Sequence, residues 1–386
     1  MPAASAGAVV VLGAVTIGSG RLFGLIELYV IGTGLILGVL AAAVHVRTRI
    51  VDLDIRRTFE PANPTAENDI FVTLTLVPTR RTPTCDLTDE VGGEGRVGLT
   101  LAPLPRHRPA RVQYRVPTTR RGVLTLGPAT IELSDPLGLL GRRRRIGSPT
   151  DVVVHPRWTS IALPDPRRCE GVLIDFIRRL LDRLTVDLEF RSLREYVAGD
   201  DLRRINWKAS ARHDILTLNE YVSRAPLVVH MLLDHDATTY SAAGFERAIS
   251  VVASFVGSAA TTGLESEPRV HVSIPGHLDA AIDAETRPDA MRCLAEIQPG
   301  TVTASPTRLN DPGEFRVNVI VCGIRDRFWL ESADHLMGTG HATIVVHCEE
   351  TNDPSIDHDR WFTLHCSDFS AFASEWSILS RQGSTP

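Results

Sequence analysis

The first 46 residues constrain the fold most strongly, because they carry almost no charge. From Pro2 to Val46 the only charged side chains are Arg21 and Glu27. Residues 22–46, LFGLIELYVIGTGLILGVLAAAVHV, supply the roughly 20 apolar residues that a helix needs to cross a bilayer. The stretch before them, AASAGAVVVLGAVTIGSG, predicts a first span that turns back near residues 18–24. A single span after a signal-like segment is the alternative, and the missing basic n-region argues against a cleaved signal peptide.

The distribution of basic residues predicts the orientation of these spans. Four arginines follow the second span closely and one lies in the proposed turn: Arg47, Arg49, Arg56 and Arg57, and Arg21 in the turn. The positive-inside rule places the more basic side in the cytoplasm. We therefore expect a cell-membrane protein with two spans, whose soluble domains after residue 46 are cytoplasmic.

Length and composition bound the rest of the chain. Its 386 residues are enough for two or three domains, and its net charge of -5 argues against general nucleic-acid binding. The six cysteines form no C-x-x-C pair and no zinc-type Cys/His spacing, which favours buried free thiols in a reducing compartment. The basic run from Arg142 to Arg145 is predicted as a solvated loop, with a partner or lipid contact as the alternative.

Residues 49–160 show the period-two patterning and short spacing of β-strands. The runs DIFVTLTLV (69–77) and RVQYRVP (111–117) are predicted strands, separated by polar breaks such as PTRRTPT. The stretch RRGVLTLGPATIELSDPLGLLGRRRR predicts two strands and then a turn at Asp135-Pro136. We expect a small β-sandwich that acts as a spacer or docking module.

Residues 225–386 change to an alternation of strands and helices. PLVVHMLLD is a continuous apolar run, typical of a buried parallel strand, and RVHVSI, FRVNVIVCGI, HATIVVHC and WFTLHC predict further strands. A helix is predicted around residues 288–297, and another near the C-terminus. This alternation indicates a doubly wound α/β domain, in which ligands bind at the carboxyl ends of the strands. Asp234 stands at such an end.

The segment between these domains, residues 161–224, contains a dense cluster of charged and amide groups, EFRSLREYVAGDDLRRINWKASARHDILTLNEY. It closely resembles the signature of a bacterial family catalogued as domain of unknown function 58. The upstream RRGVLTLGP and DPLGLL resemble further elements of that family, with Leu137 where Phe is usual. The matching signature residues are Glu189, Phe190, Leu193, Arg194, Glu195, Tyr196, Gly199, Asp200, Asp201, Arg203, Arg204, Ile205, Trp207, Ala209, Ala211 and Arg212.

This resemblance implies a membrane-anchored protein whose biochemistry is unknown. Members of the family are often encoded beside MoxR-type AAA+ ATPases and are thought to assist them. We therefore expect a non-enzymatic adaptor with a MoxR-type partner and no cofactor. The chain has no P-loop G-x-x-x-x-G-K-[ST], so we expect no ATP hydrolysis of its own. A metal-dependent hydrolase that uses the Gly-Asp-Asp region, and an adhesion module that faces outward, are the alternatives.

The α/β domain resembles a von Willebrand factor A domain. That fold places Asp-x-Ser-x-Ser after its first strand to hold a divalent cation, and Asp234, Asp236 and Thr238 occupy the corresponding positions here. Carboxylate and hydroxyl oxygens suit Mg²⁺, but Asp236 replaces the first Ser. Gly323 stands where a later strand should supply an Asp. We therefore expect no functional Mg²⁺ site, and we predict that these polar residues cap the following helix.

Three hypotheses for the Gly-Asp-Asp at 199–201 remain open. In the first, an aspartate caps a helix that begins near Leu202, and Trp207 packs inward. In the second, Trp207 and the arginines form an exposed recognition site. In the third, the carboxylates hold a metal with Asn206 and His213 and activate water. The predicted interaction residues are Arg194, Glu195, Tyr196, Gly199, Asp200, Asp201, Arg204, Trp207 and Arg212.

Overall fold

The computed structural model describes most of the chain. The described residues are 2–49, 51–92, 95–165, 169–183, 188–197, 202, 205–213, 215–223, 227–259, 269–301, 315–323, 342–349 and 362–382. The chain divides into two compact units, Met1–His155 and Pro156–Pro386. The signature segment therefore belongs to the second unit.

Two apolar helices begin the first unit, α1 (Pro2–Phe23) and α2 (Ile26–Thr48). Both are long and apolar enough to cross a membrane, so the expectation of two apolar N-terminal helices is confirmed. Gly24 forms the turn between them at φ +68, a left-handed conformation that costs glycine little. The helices approach closely at Gly32, where a Cβ atom would overlap the Thr16 hydroxyl. Small residues at a helix crossing permit such an approach in a membrane.

Two antiparallel sheets make up the rest of the first unit. One has the strand order β1-β2-β5, and the other has the order β4-β3-β6-β7, with β8 paired to β6. Both contribute to one apolar core, which includes Ile70 and Leu74 from the first sheet and Leu87 from the second. The β-rich expectation for this segment is confirmed. The bounds are β1 (Leu53–Glu60), β2 (Asp69–Pro78), β3 (Cys85–Val91), β4 (Gly95–Leu101), β5 (Ala110–Pro117), β6 (Gly122–Ser134), β7 (Gly141–Ile146) and β8 (Thr150–Val154).

A buried ion pair joins the two sheets. Arg57 of β1 donates to both carboxylate oxygens of Asp89 on β3, at 2.8 and 3.2 Å. The two side chains are 2% and 0% exposed. Tyr114 of β5 donates its hydroxyl to the same carboxylate at 2.7 Å, and the third guanidinium nitrogen of Arg57 donates to the Ser148 carbonyl at 2.7 Å. Gly127 makes room for this group, because a Cβ atom there would overlap the guanidinium.

The arginine run forms a strand, which corrects the prediction of a loop. β7 pairs antiparallel with β6, and Arg143 lies opposite Glu132. Between the two strands the Asp135 carboxylate accepts a hydrogen bond from the Leu140 N–H at 2.6 Å. The arginine side chains are exposed, as expected. The segment is a strand because β6 supplies partners for its backbone, while the long side chains remain in contact with water.

A six-stranded sheet lies at the centre of the second unit. The elements of this unit are β9 (Cys169–Glu170), α3 (Val172–Arg183), β10 (Leu188–Glu195), α4 (Trp207–His213), β11 (Thr217–Ser223), β12 (Leu227–Leu233), α5 (Ala242–Ser258), β13 (Arg269–Ile274), β14 (Leu278–Ile282), α6 (Arg287–Glu296), β15 (Phe315–Cys322), β16 (Ala342–His347), β17 (Phe362–His365), α7 (Phe369–Leu379) and β18 (Arg381–Gln382). The sheet order is β14-β13-β12-β15-β16-β17, parallel except for the edge strand β14. The predicted α/β alternation is confirmed, and β14 is an additional strand.

Alternate residues of the central strands build the core of this unit. Val229, Met231 and Leu233 of β12 pack in one cluster with residues of α5 and α7. Trp376 of α7 is fully buried within it and donates its indole N–H to the Ala162 carbonyl at 2.8 Å. A buried polar side chain keeps its hydrogen bond in this way.

The Arg57–Asp89 pair generates a stability prediction. Asp89→Ala leaves the guanidinium buried without its carboxylate, so we expect a loss of about 3–5 kcal/mol in the free energy of unfolding. Glu132→Ala is the matched control, because it removes a carboxylate from the pair with Arg143, whose side chain is 66% exposed. That change should cost less than about 1 kcal/mol. Unfolding of the full chain in detergent measures both, and equal losses would contradict the assigned role of the buried pair.

Candidate functional site

The signature segment folds into an antiparallel hairpin. β10 pairs with β11, with Leu193 opposite Asn219 and Glu195 opposite Thr217. The pairing extends past the end of β10, because the Tyr196 N–H donates to the Leu216 carbonyl at 2.8 Å. The described residues between the two strands therefore lie at one end of the hairpin, and they include the helix α4.

Asn206 holds α4 in place. Its side-chain oxygen accepts a hydrogen bond from the Ala209 N–H at 2.9 Å, and its amide donates to the Asn219 side chain at 2.8 Å. Helix α4 begins at Trp207, and Asn206 is its cap. The predicted caps of a helix near Leu202, Asp200 and Asp201, lie outside the described residues. Both polar groups of Asn206 are thus engaged, which weakens the hypothesis that it holds a metal.

Trp207 is 67% exposed, which contradicts the hypothesis that it packs inward. Burial therefore does not determine the choice of residue at this position. Six exposed large apolar residues come from this hairpin, among twelve described beyond residue 48. We call the six the hairpin apolar surface: Leu193, Val197, Leu202, Trp207, Ile215 and Leu216. Sequence reasoning identified Trp207 alone as an anchor and missed the other five.

The charged signature residues are described only in part. Arg194, Glu195 and Arg212 are exposed, and Tyr196 is half-buried. The Arg194 guanidinium donates to the Glu195 carbonyl at 3.1 Å. The remaining predicted interaction residues lie outside the described residues, and the hypotheses about them stay predictions: Gly199, Asp200, Asp201 and Arg204.

The second candidate site is the turn after β12. The later strands β13 and β15 lie on opposite sides of β12, and ligands of parallel sheets bind at such positions. Asp234 is fully buried. Its carboxylate accepts hydrogen bonds from the Asp236 N–H at 2.9 Å and the Thr239 hydroxyl at 2.8 Å. Asp236 accepts from the N–H and the hydroxyl of Thr238, at 2.9 and 2.8 Å. The structure therefore brings Asp234, Asp236 and Thr238 together, and N–H and hydroxyl groups of the turn itself donate to the two carboxylates.

The helix after this turn has a different cap from the one predicted. Ser241 caps α5, accepting a hydrogen bond from the Gly244 N–H at 3.0 Å. The Glu349 carboxylate accepts from the N–H and the hydroxyl of Ser241, at 2.6 and 2.8 Å. A carboxylate is favourable at the positive end of a helix. Sequence reasoning missed Glu349, because it lies more than 100 residues away along the chain.

Gly323 follows β15 and packs against the turn that follows β12. A Cβ atom at Gly323 would overlap the Thr239 carbonyl oxygen. The Tyr240 hydroxyl donates to the Val321 carbonyl at 3.2 Å, and burial raises the pKa of Tyr240 well above its ordinary value, so this donor keeps its proton. The position that should carry a metal-binding carboxylate therefore has no room for one. Within the described ranges, no group of three His, Cys, Asp or Glu residues could hold a metal ion.

Comparisons with known proteins agree with one of the two resemblances. The family model described as "Protein of unknown function DUF58" matches residues 192–266, which supports the family suggested by the signature. None of the curated proteins compared with the chain matches it.

Several solved structures are weakly similar to the chain. The manganese-loaded TRAP protein of Plasmodium vivax is 11% identical and matches over 42% of this chain and 76% of its own, with a TM-score of 0.29. The CARDB domain of the PF1109 protein from Pyrococcus furiosus is 14% identical over 27% of this chain and 88% of its own, with a TM-score of 0.21. Proximal thread matrix protein 1 from the mussel byssus is 9% identical over 41% of this chain and 46% of its own, with a TM-score of 0.27. At these scores the likenesses carry no argument about this chain.

The closed turn generates a second stability prediction. Gly323→Ala should cost about 1–3 kcal/mol of unfolding free energy, because the new methyl group must displace the Thr239 backbone. Gly300→Ala is the matched control: Gly300 bridges to Asp236 in the same turn, and a Cβ atom there would meet only the His235 ring at 3.8 Å. Thermal unfolding of the full chain in detergent compares the two variants. An unchanged melting temperature for Gly323→Ala would contradict the closed geometry.

Proposed function

We propose that the chain is a membrane-anchored, non-enzymatic adaptor whose hairpin apolar surface binds a protein partner. The family resemblance suggests a MoxR-type AAA+ ATPase as that partner. In this proposal α1 and α2 span the cell membrane as a pair. The arginines that follow α2 keep the soluble domains after residue 46 in the cytoplasm, which is where such an ATPase is available.

The exposure of Trp207 and of five other large apolar residues in the same hairpin is the observation that carries this proposal. Leaving large apolar side chains in water is unfavourable, and contiguous exposed patches of them are typical of interaction surfaces. Tryptophan and arginine are the residues most enriched among binding hot spots. Exposed Arg194 and Arg212 belong to the same segment and would make a charged rim, which favours partner selection.

The local hydrogen bonds support a preformed binding surface. A helix of 7 residues is marginal by itself, so α4 needs its contacts with the hairpin. Asn206 supplies one contact, and the Ser210 hydroxyl supplies another by accepting from the Thr217 N–H at 2.8 Å. A surface that is already ordered loses less entropy when a partner binds.

We also propose that the α/β domain is von Willebrand factor A-like, without the metal dependence of that fold. Its doubly wound sheet and the aspartate after the first strand support the likeness. The internal hydrogen bonds of Asp234 and the packing of Gly323 against Thr239 favour partner binding without a cation.

Trp207→Ala tests the proposed docking surface. Because the indole is exposed, the change should alter folding stability by no more than about 0.5 kcal/mol. Affinity for the MoxR-type ATPase of the same genome should fall at least about 30-fold, since a hot spot contributes about 2 kcal/mol or more. The full chain in lipid nanodiscs and the purified ATPase are the components of the binding measurement.

Ile378→Ala is the matched control, because Ile378 is also exposed in the second unit but lies on α7. It should leave both melting temperature and affinity unchanged. Equal affinity of the parent and the Trp207→Ala variant would refute the docking surface. A large drop in melting temperature for Trp207→Ala would instead identify Trp207 as a structural residue.

A further inference from the structure

A pocket rich in arginine lies where α2 ends. Its lining consists of three arginines and three apolar residues: Arg49, Val51, Ile131, Leu133, Arg142 and Arg144. None of these lining residues is acidic. Arg49 follows the last residue of α2, so the pocket adjoins the end of an apolar helix that is long enough to cross a membrane.

The register of β7 explains why only two of its four arginines line the pocket. Arg142 lies opposite Leu133 and Arg144 lies opposite Ile131. Because side chains alternate along a strand, Arg143 and Arg145 lie on the other face. The Arg143 guanidinium is paired there with Glu132 at 2.8 Å.

The backbone of the chain fixes one arginine of the pocket. The Arg144 guanidinium donates to the Val51 carbonyl at 3.1 Å, which connects β7 to the segment between α2 and β1. A guanidinium has five N–H groups in a planar fork, so one such bond leaves most of its donors for a ligand. This fork fits the oxygens of a phosphate group in a bidentate manner.

An apolar helix face leads to the same arginine that lines the pocket. Leu37, Leu40, Ala41 and Val44 form a shallow groove along α2 that ends at Arg49. The three larger residues of this face are exposed. The apolar groove and the arginine pocket therefore meet at Arg49. A phospholipid has the same order, because its acyl chains are followed by its phosphate.

We propose that this pocket binds the phosphate of an anionic membrane phospholipid. The acyl chains lie along the apolar face of α2, and the phosphate lies between Arg49, Arg142 and Arg144. A phospholipid and free phosphate share the anionic phosphate oxygens that the arginines would bind. The apolar groove and the three apolar lining residues select the lipid. The inference goes beyond the adaptor function and requires α2 to be embedded in lipid.

Two double variants with the same charge change test the proposal. Arg142→Gln/Arg144→Gln removes the arginines of the pocket, and Arg143→Gln/Arg145→Gln removes those of the opposite face. The full chain is inserted into phosphatidylcholine nanodiscs containing a minority of phosphatidylglycerol, and native mass spectrometry counts the phosphatidylglycerol retained on release. At about 1 kcal/mol for each arginine, the pocket variant should lose about 30-fold in relative retention. The opposite-face variant should retain the lipid like the parent.

Further measurements keep the test decisive. Arg49→Gln against Arg47→Gln gives a second matched pair if the double variant does not fold, and Arg49→Gln should be the weaker binder. Inorganic phosphate is the competing probe, and it should not displace the lipid. Equal loss in both double variants would show general charge attraction and overturn the proposal. Displacement by inorganic phosphate, or failure of the chain to enter the bilayer, would overturn it as well.

Discussion

The buried ion pair between Arg57 and Asp89 is the interaction on which the first unit depends. It connects the two sheets through a strand that follows α2 almost directly, and Tyr114 and the Ser148 carbonyl satisfy the remaining polar atoms. Charges this deeply buried are tolerated only when they are paired and hydrogen-bonded. The pair therefore fixes β1 against the second sheet.

The two candidate sites of the second unit use their polar groups in opposite ways. At the turn after β12, carboxylates and hydroxyls bond to one another, and a side chain at position 323 would overlap the Thr239 carbonyl. At the hairpin, hydrogen bonds hold α4 in place and leave Trp207 in water. A partner that buries an exposed apolar surface gains free energy, and a surface that is already rigid loses less entropy on binding. This contrast is why we propose a binding role for the hairpin and not for the turn after β12.

Periodic features of the sequence predicted the elements well, and long-range packing explains the differences. The apolar helices and the core strands of the α/β sheet follow from hydropathy and period, which act locally. The arginine run became a strand because β6 pairs with it. Trp207 is exposed at the start of a helix that the side chains of Asn206 and Ser210 hold against the hairpin. Glu349 at the start of α5 depends on a contact across the sheet, which no local pattern encodes.

The central claim is that the hairpin, and not another exposed part of the second unit, contacts the partner ATPase. Site-specific photocrosslinking in native membranes tests this most directly, with a photoreactive amino acid at position 207 and, as the control, at the exposed position 378 of α7. We predict a crosslinked product with a AAA+ ATPase from position 207 and none from position 378. The same product from both positions, or from position 378 alone, would contradict the claim.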